Sequence, residues 1–551
     1  MTVVQKSPTF DEPIHLYAGY SHLKWGDFRV NPEHPPLAKV LAALPLLVVE
    51  VNHGEITRAR RDIVQRNDHY GWILADHFIS ANRPIQSFFF YPKLVMIALA
   101  VSLGAFVFLA ARDLYGANGA LAALALYSLD PNFLAHSSLI HTDIPFTLFF
   151  FAGTYFFWRT LKRVTCANLL ATALLFALAA ITKFSFLVIL PIWTALGIIA
   201  ALSAQSQHSQ ITSPVIVDRP GPKLTLLMVV LGTAVVVAYV GIWSAYGFRF
   251  DAVTDTPEQM RIGRVVSKDS WLSTLVVLNA KYFFLPEAWL YGLLDAIKAF
   301  ERPSYLLGEI SEHGFWLYFP IAFALKTPLP TLVMLLVALV LMVRRRRPKM
   351  ADLVLLVPAV LFFVVAVWSK LNIGVRHILP IYPFLFVWLG GAVAATWASK
   401  NRASGWGVLV LGIWLLLSLI RIYPDQLAFF NELAGGSTNG HKFLVDSNLD
   451  WGQDLKGLKR WIDDHRVNQI KFAYFGTVNP SYYGINAIPA PGSLVLSRWS
   501  SNDNSNASPY IAISATYVAG LYLAHKDTYA SFRNKSPIAT IGHSILVYKL
   551  D

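Results

Sequence analysis

Apolar runs long enough to cross a hydrocarbon core, about 17–25 residues, recur through most of this chain. They lie near residues 92–112, 118–136, 144–161, 167–182, 184–204, 223–245, 315–343, 351–369, 378–398 and 405–422. Only Thr182-Lys183-Phe184 separates the fourth from the fifth. The run from Pro36 to Val51 is shorter and is interrupted by Lys39 and Pro45, which predicts a helix lying in the interface rather than crossing it. Ahead of it, Pro8, Pro13, Pro32, Pro35 and Pro36 suit a loop.

Past residue 422 the pattern changes. His441 to Asp446 and Gln469 to Phe475 alternate like strands, with Asp450 to His465 reading as a helix between them. Tyr510 to Thr516 and Ser544 to Lys549 read as further strands, and Ser501 to Ser508 as a polar loop. The expected architecture is an α-helical polytopic membrane protein of about ten spans, with a large first outer loop and a small C-terminal α/β domain. Residues 1–91 form the loop, with an acidic motif and the interfacial helix. Residues 92–422 form the membrane domain, including an outer loop at about 246–314, and 423–551 form the extracytoplasmic domain.

Composition agrees. The 551 residues are 55% hydrophobic and 14% charged, well below the quarter or so charged that soluble domains carry. The net charge of +13 sits in short loops between apolar runs, so it points to membrane orientation and not to nucleic acid. Alternate loops hold Arg112; Arg159, Lys162 and Arg163; Arg219 and Lys223; Arg344, Arg345, Arg346, Arg347 and Lys349; Lys400 and Arg402. The opposite short loops hold Lys183, Lys370 and Arg376. The richer set is cytoplasmic by the positive-inside rule. The single cysteine, Cys166, excludes an intrachain disulfide and a multi-cysteine metal cluster, and residues 1–35 contain no apolar signal-peptide core.

This orientation puts every chemically promising residue on the outer side. Asp11-Glu12-Pro13-Ile14-His15 and Asn31-Pro32-Glu33-His34-Pro35-Pro36-Leu37 offer acids beside imidazoles, the raw material of general acid–base chemistry. His141-Thr142-Asp143-Ile144-Pro145 opens a span. Thr142 or Asp143 there suits a helix cap, and an acid so held can also position another group. Lys183 either snorkels or serves as a point charge for a phosphate. Arg376-His377 stands at an outer span end against the positive-inside bias, where a guanidinium fork fits a phosphate. In the tail, Asp450, Trp451 and Gln453 suit either a turn and cap or a sugar. The phosphate loop, nucleophile elbow and zinc-helix motifs are absent.

In their order along the chain, several short motifs resemble the large-loop membrane glycosyltransferases of the GT-C class. They are Asp11-Glu12, Asn31-Pro32-Glu33-His34-Pro35-Pro36-Leu37-Ala38-Lys39, Arg112-Asp113-Leu114-Tyr115-Gly116, His141-Thr142-Asp143, Thr182-Lys183, Lys326-Thr327-Pro328 and Arg376-His377-Ile378-Leu379-Pro380. The likeness is to bacterial protein O-mannosyltransferase-like members, distant relatives of the aminoarabinose transferases. Asp450-Trp451-Gly452-Gln453-Asp454-Leu455 resembles a run in the tails of such relatives.

The resemblance implies an inverting transfer of a mannose-like sugar from a polyprenyl-phosphate carrier to a protein, glycan or lipid hydroxyl. It implies the outer face of a bacterial inner membrane as the place, with no nucleotide donor; no cofactor is assigned, and no metal, because no clear ligand set emerges from the residues and a metal-free clamp suffices. It implies Asp11 as the base with Glu12 beside it, Asp143 as a second acid, and Lys183, Arg376 and His377 around the lipid phosphate. His34, His141, Asp450 and Trp451 are supporting candidates. In these families a span normally precedes the Asp-Glu loop, whereas ten residues do here. Ten spans then put both termini outside, so either the start is internal to a longer reading frame or insertion is unusual. A transporter or flippase for a lipid-linked or anionic substrate is the competing class. It predicts a two-half repeat and mid-span charges, and the sequence shows neither.

Overall fold

The computed structural model describes residues 2–53, 70–203, 207–209, 215–217, 219–253, 260, 271–298, 302–345, 348–399, 402–493 and 508–550. Arg346, Arg347, Lys400, parts of the 246–314 loop and all but Ser508 of the expected polar loop lie outside these residues.

Among the described residues six helices are each long and apolar enough to cross a membrane, and a bent pair makes a seventh. One of them, Ile85–Leu129, accounts for two predicted spans. Gly116 inside it has φ 76° and ψ −173°, outside the helical region and readily reached only without a Cβ. The chain reverses there, because the Tyr127 hydroxyl donates to the Ala100 carbonyl at 2.6 Å. A straight helix would hold those two residues some 40 Å apart, at about 1.5 Å per residue. The hairpin packs on Tyr382–Ala398, where a Cβ on Gly390 would meet the Gly119 carbonyl oxygen at 2.4 Å. Asp143–Lys162 and the shorter Cys166–Ala180 complete the set, so helices stand at all ten predicted places.

The run at 315–343 is not one straight helix. Tyr318–Lys326 and Leu329–Arg344 meet at 110°. Pro328 has no N–H to continue the first helix and forces Thr327 into an extended conformation (φ −78°, ψ 132°). Asn431 covers the break, its amide donating to the carbonyls of Ala324 at 2.6 Å and Thr327 at 2.7 Å.

The first segment is not a solvated loop. Glu12–Trp25 is a 14-residue helix whose residues Glu12 to His22 are all buried. Pro13 starts it without harm, since the first turn leaves its N–H groups unbonded in any case. Leu37–Ala43 with the 3₁₀ turn Leu44–Leu47 forms the expected short helix. Lys39 ties the preceding turn, donating to the carbonyls of Asn31 at 2.5 Å and His34 at 2.7 Å.

In the tail, five strands form one sheet: β1 Ile470–Ala473, β2 Ala487–Pro489, β3 Tyr510–Ser514, β4 Ala539–Ile541 and β5 Ile545–Lys549, in the order β2-β1-β3-β5-β4. β1 is parallel to β2 and β3, and β5 is antiparallel to β3 and β4. Alternation decides what each face meets. Phe472, Ala512, Ile545 and Val547 join a core containing Leu458 and Trp461 of the helix Leu455–Asp464, and Tyr17 and Phe78 from the first segment. Ala473, Ile511, Ile513, Leu546 and Tyr548 pack with Trp451 and Phe475 on the other face. The strand expected at His441 to Asp446 is instead a 3₁₀ turn over Ser437–Lys442 followed by buried irregular chain.

Candidate active site

Four charged side chains from separate parts of the chain meet. Asp11 stands at the N-cap of Glu12–Trp25, yet its carboxylate makes no capping bond. Asp143 is the first residue of Asp143–Lys162, and Thr142 at the N-cap makes no side-chain cap either. The capping reading of this motif therefore gives way, because the Asp143 side chain turns to other partners. Lys183 ends the three-residue link between Cys166–Ala180 and the 3₁₀ turn Phe184–Val188, and Arg376 lies in the 3₁₀ turn Val375–Ile381 that leads into Tyr382–Ala398.

Asp143 is the hub. It pairs with Lys183 and with Arg376 Nη1 at 3.6 Å, and its backbone N–H donates to His141 Nδ1 at 3.1 Å. The same Arg376 nitrogen lies 3.5 Å from Asp11 Oδ2. The two acids differ in access, since 23% of the Asp11 side chain is exposed against 1% of Asp143. Asp11 faces the open side of the cluster. Burial pushes its carboxyl above the ordinary range, with Arg376 acting in the opposite direction.

Glu12 faces elsewhere. Its Oε2 accepts from the Thr9 N–H at 2.7 Å and from Lys93 at 3.1 Å, and its Oε1 accepts from the Ile140 N–H at 3.1 Å. It ties the first segment to the hairpin and to the chain just before Asp143. His34 lies edge-on to His15, ring centroids 5.9 Å apart, and burial together with Lys183 holds its imidazole well below the usual range. His15 Nδ1–H donates to the Ile140 carbonyl at 2.9 Å. His377 follows Arg376 with Nε2 buried and without a hydrogen-bond partner.

The tail supplies the floor. The Trp451 ring lies 4.3 Å under the Arg376 guanidinium and 5.5 Å from the His141 ring. Asp450 points away from the cluster and accepts from the Thr516 N–H at 3.1 Å. The motif Asp446-Ser447-Asn448 holds the Arg376 loop. Arg376 Nε donates to Ser447 Oγ at 3.2 Å, Ser447 Oγ donates to the Ile373 carbonyl at 2.7 Å, and the Val375 N–H donates to Asn448 Oδ1 at 2.9 Å. Lys326, next to the broken helix, donates to the Asn448 carbonyl at 2.5 Å. Sequence alone singles out Asp450, Trp451 and Gln453 further along, and not Ser447 or Asn448. The dense run of small polar residues before Trp451 was the available signal, and nothing in it named Arg376 as partner. Among the described residues no group of three or more His, Cys, Asp or Glu is placed to hold a metal ion.

A model of the dolichyl-phosphate-mannose-protein mannosyltransferase family matches residues 89–243, a segment that includes Asp143 and Lys183. The crystal structure of ArnT from Cupriavidus metallidurans bound to undecaprenyl phosphate aligns at a TM-score of 0.50 and 11% identity, covering 99% of this chain and 94% of that one. The two chains share a fold along nearly their whole length. ArnT of the same organism in the apo state aligns at 0.39 and 10% identity, with the same coverage. Curated protein sequences gave no match. The GT-C resemblance drawn from short ordered motifs thus holds across the fold, and the chain is an integral membrane protein.

Proposed function

We propose that this protein transfers a sugar, mannose by the family's leaning, from a polyprenyl-phosphate carrier to an acceptor hydroxyl at the outer face of the membrane. The observation that carries the reading is the convergence of Asp11, Asp143, Lys183 and Arg376. The likeness to a protein crystallised with undecaprenyl phosphate supports the choice of carrier.

Asp11, the more open acid, takes the proton from the acceptor hydroxyl as its oxygen attacks the anomeric carbon. The bond from that carbon to the phosphate oxygen breaks, and its electron pair stays on the phosphate. Arg376 and Lys183 meet the growing charge, already fixed in place by Asp143 so that little reorganisation is needed. Attack from the face opposite the leaving phosphate inverts the anomeric centre. Asp143 balances the two cations when the donor is absent. Residues 1–91, 92–422 and 423–551 serve in this proposal as outer segment, membrane domain and outer tail domain, and the acceptor is a protein, glycan or lipid hydroxyl.

The test is release of polyprenyl phosphate from polyprenyl-phosphate mannose by purified protein offered each acceptor class. Sugar transfer with inversion is expected. Donor that stays intact with every acceptor, or turnover by Arg376→Ala at the wild-type rate, would overturn the reading. A parallel donor carrying aminoarabinose tests the choice of sugar.

A further inference from the structure

The phosphate-binding reading of Arg376 leaves unexplained why a tail domain from the far end of the chain reaches into the site. Trp451 touches both ends of the proposed chemistry. Its carbonyl accepts from the Phe10 N–H at 2.8 Å, fixing the residue before Asp11. The Phe10 carbonyl in turn accepts from Thr477 Oγ1 at 2.6 Å. The Trp451 indole lies beneath Arg376, its ring centroid 4.3 Å from the guanidinium carbon. Ser7 continues the pairing, its N–H donating to the Gln453 carbonyl at 2.9 Å and its hydroxyl to the Gly452 carbonyl at 3.1 Å. The chain just before Arg376 is held by the tail as well, through Ser447 at the Ile373 carbonyl and Asn448 at the Val375 N–H.

We propose that Trp451, with Ser447, is a positioning residue for donor-phosphate recognition: the indole face and the Ser447 hydroxyl set the guanidinium of Arg376 at its distance from Asp11. The tail then acts as part of the donor site and not only as an outer appendage. The physical basis is specific. An aromatic face attracts a cation placed over it, more strongly when both are shielded from water, and a guanidinium held on a plane presents its remaining N–H groups in a fixed fork. Trp451 is 2% exposed and Arg376 8%, so both are shielded. The inference rests on reading Arg376 as the cation for the lipid phosphate.

The test uses the full-length protein in lipid nanodiscs, with wild type, Trp451→Phe, Trp451→Leu and Ser447→Ala compared. Binding of undecaprenyl phosphate and turnover of the lipid-linked sugar are both measured. Every variant keeps the backbone carbonyl that holds Phe10, so Asp11 stays in place. Trp451→Leu should weaken undecaprenyl phosphate binding and raise the donor KM by about 10- to 30-fold. kcat should stay within a few-fold and the acid limb of its pH profile should not move. Trp451→Phe should recover most of the loss, because it keeps an aromatic face. Ser447→Ala should shift binding in the same direction by less, and it decides the matter alone if Trp451→Leu fails to insert. Unchanged binding in Trp451→Leu and Ser447→Ala, or equal losses in the Phe and Leu variants, would overturn the proposal. A wild-type protein that binds no undecaprenyl phosphate would instead remove the phosphate reading of Arg376 itself, and this inference with it.

Discussion

Arg376 Nη1 lies 3.5 Å from Asp11 Oδ2, joining the start of the chain to the mouth of its ninth predicted span. This contact makes a base and a phosphate cation neighbours. It also gives Arg376 two carboxylates, since Asp143 is 3.6 Å away. An incoming phosphate would compete for the guanidinium with Asp11 and leave that acid free to accept a proton.

Arg376→Ala should weaken use of the lipid-phosphate donor, and Arg376→Lys should restore it only in part. A lysine keeps the charge but loses the planar fork that grips two oxygens over the Trp451 ring. Donor titrations of the purified variants check this. Full recovery in the lysine variant would reduce Arg376 to a point charge.

Glu12→Gln should act on stability more than on chemistry. Glu12 is fully buried and paired with Lys93, itself 3% exposed. Removing one charge of such a pair leaves the other stranded, at a cost of about 3–5 kcal/mol. Adding Lys93→Met should recover part of that loss. Thermal unfolding in detergent measures both, and a Glu12→Gln protein as stable as wild type would show that the pair is not a strut.

Asp450 makes the tail sensitive to pH. Burial pushes its carboxyl up to about 7 from an ordinary 3.8, against the opposing Thr516 N–H. Between about pH 4 and 7 the folded state therefore keeps a proton that the unfolded chain has released. Stability should fall as pH rises through that window, by up to about 4 kcal/mol. Asp450→Asn should flatten the decline. An unaltered pH profile of unfolding in that variant would mean that Asp450 is already ionised in the fold.

Orientation is checked by cysteine labelling in a Cys166→Ser background. Reagent added outside intact cells should modify Asp464→Cys in the tail and miss Arg345→Cys between two spans, both exposed positions. The reverse pattern would turn the site to the cytoplasm.

Much of this was legible in the sequence because membranes impose length and charge rules that a linear pattern obeys. Ten apolar runs gave ten helix positions, and the small tail sheet followed from alternation in Gln469 to Phe475, Tyr510 to Thr516 and Ser544 to Lys549. The misses have local causes. Prolines read as loop formers over residues 8–36, whereas Pro13 falls in the first turn of a helix, where it costs nothing. The bend at Thr327 was hidden inside one continuous apolar run. For the site, residue types and span ends singled out Asp11, Asp143, Lys183 and Arg376, and the structure brings these four together. Glu12 was indistinguishable from Asp11 by sequence, because only packing shows which acid meets Lys93. The hold of Ser447 and Asn448 on the Arg376 loop was beyond reach, since it depends on a tail folded back across the membrane domain.

The account rests most heavily on Asp11. Asp11→Asn keeps the size and hydrogen-bonding shape but cannot take the acceptor's proton. The decisive measurement is sugar transfer from a polyprenyl-phosphate donor by the purified variant, with undecaprenyl phosphate binding measured in parallel and Glu33→Gln as the control for lost charge in the same segment. Turnover should fall by about 10²–10⁴ while binding stays within a few-fold of wild type and Glu33→Gln keeps most activity. An Asp11→Asn enzyme that transfers sugar at the wild-type rate would contradict the account and move the base to Asp143.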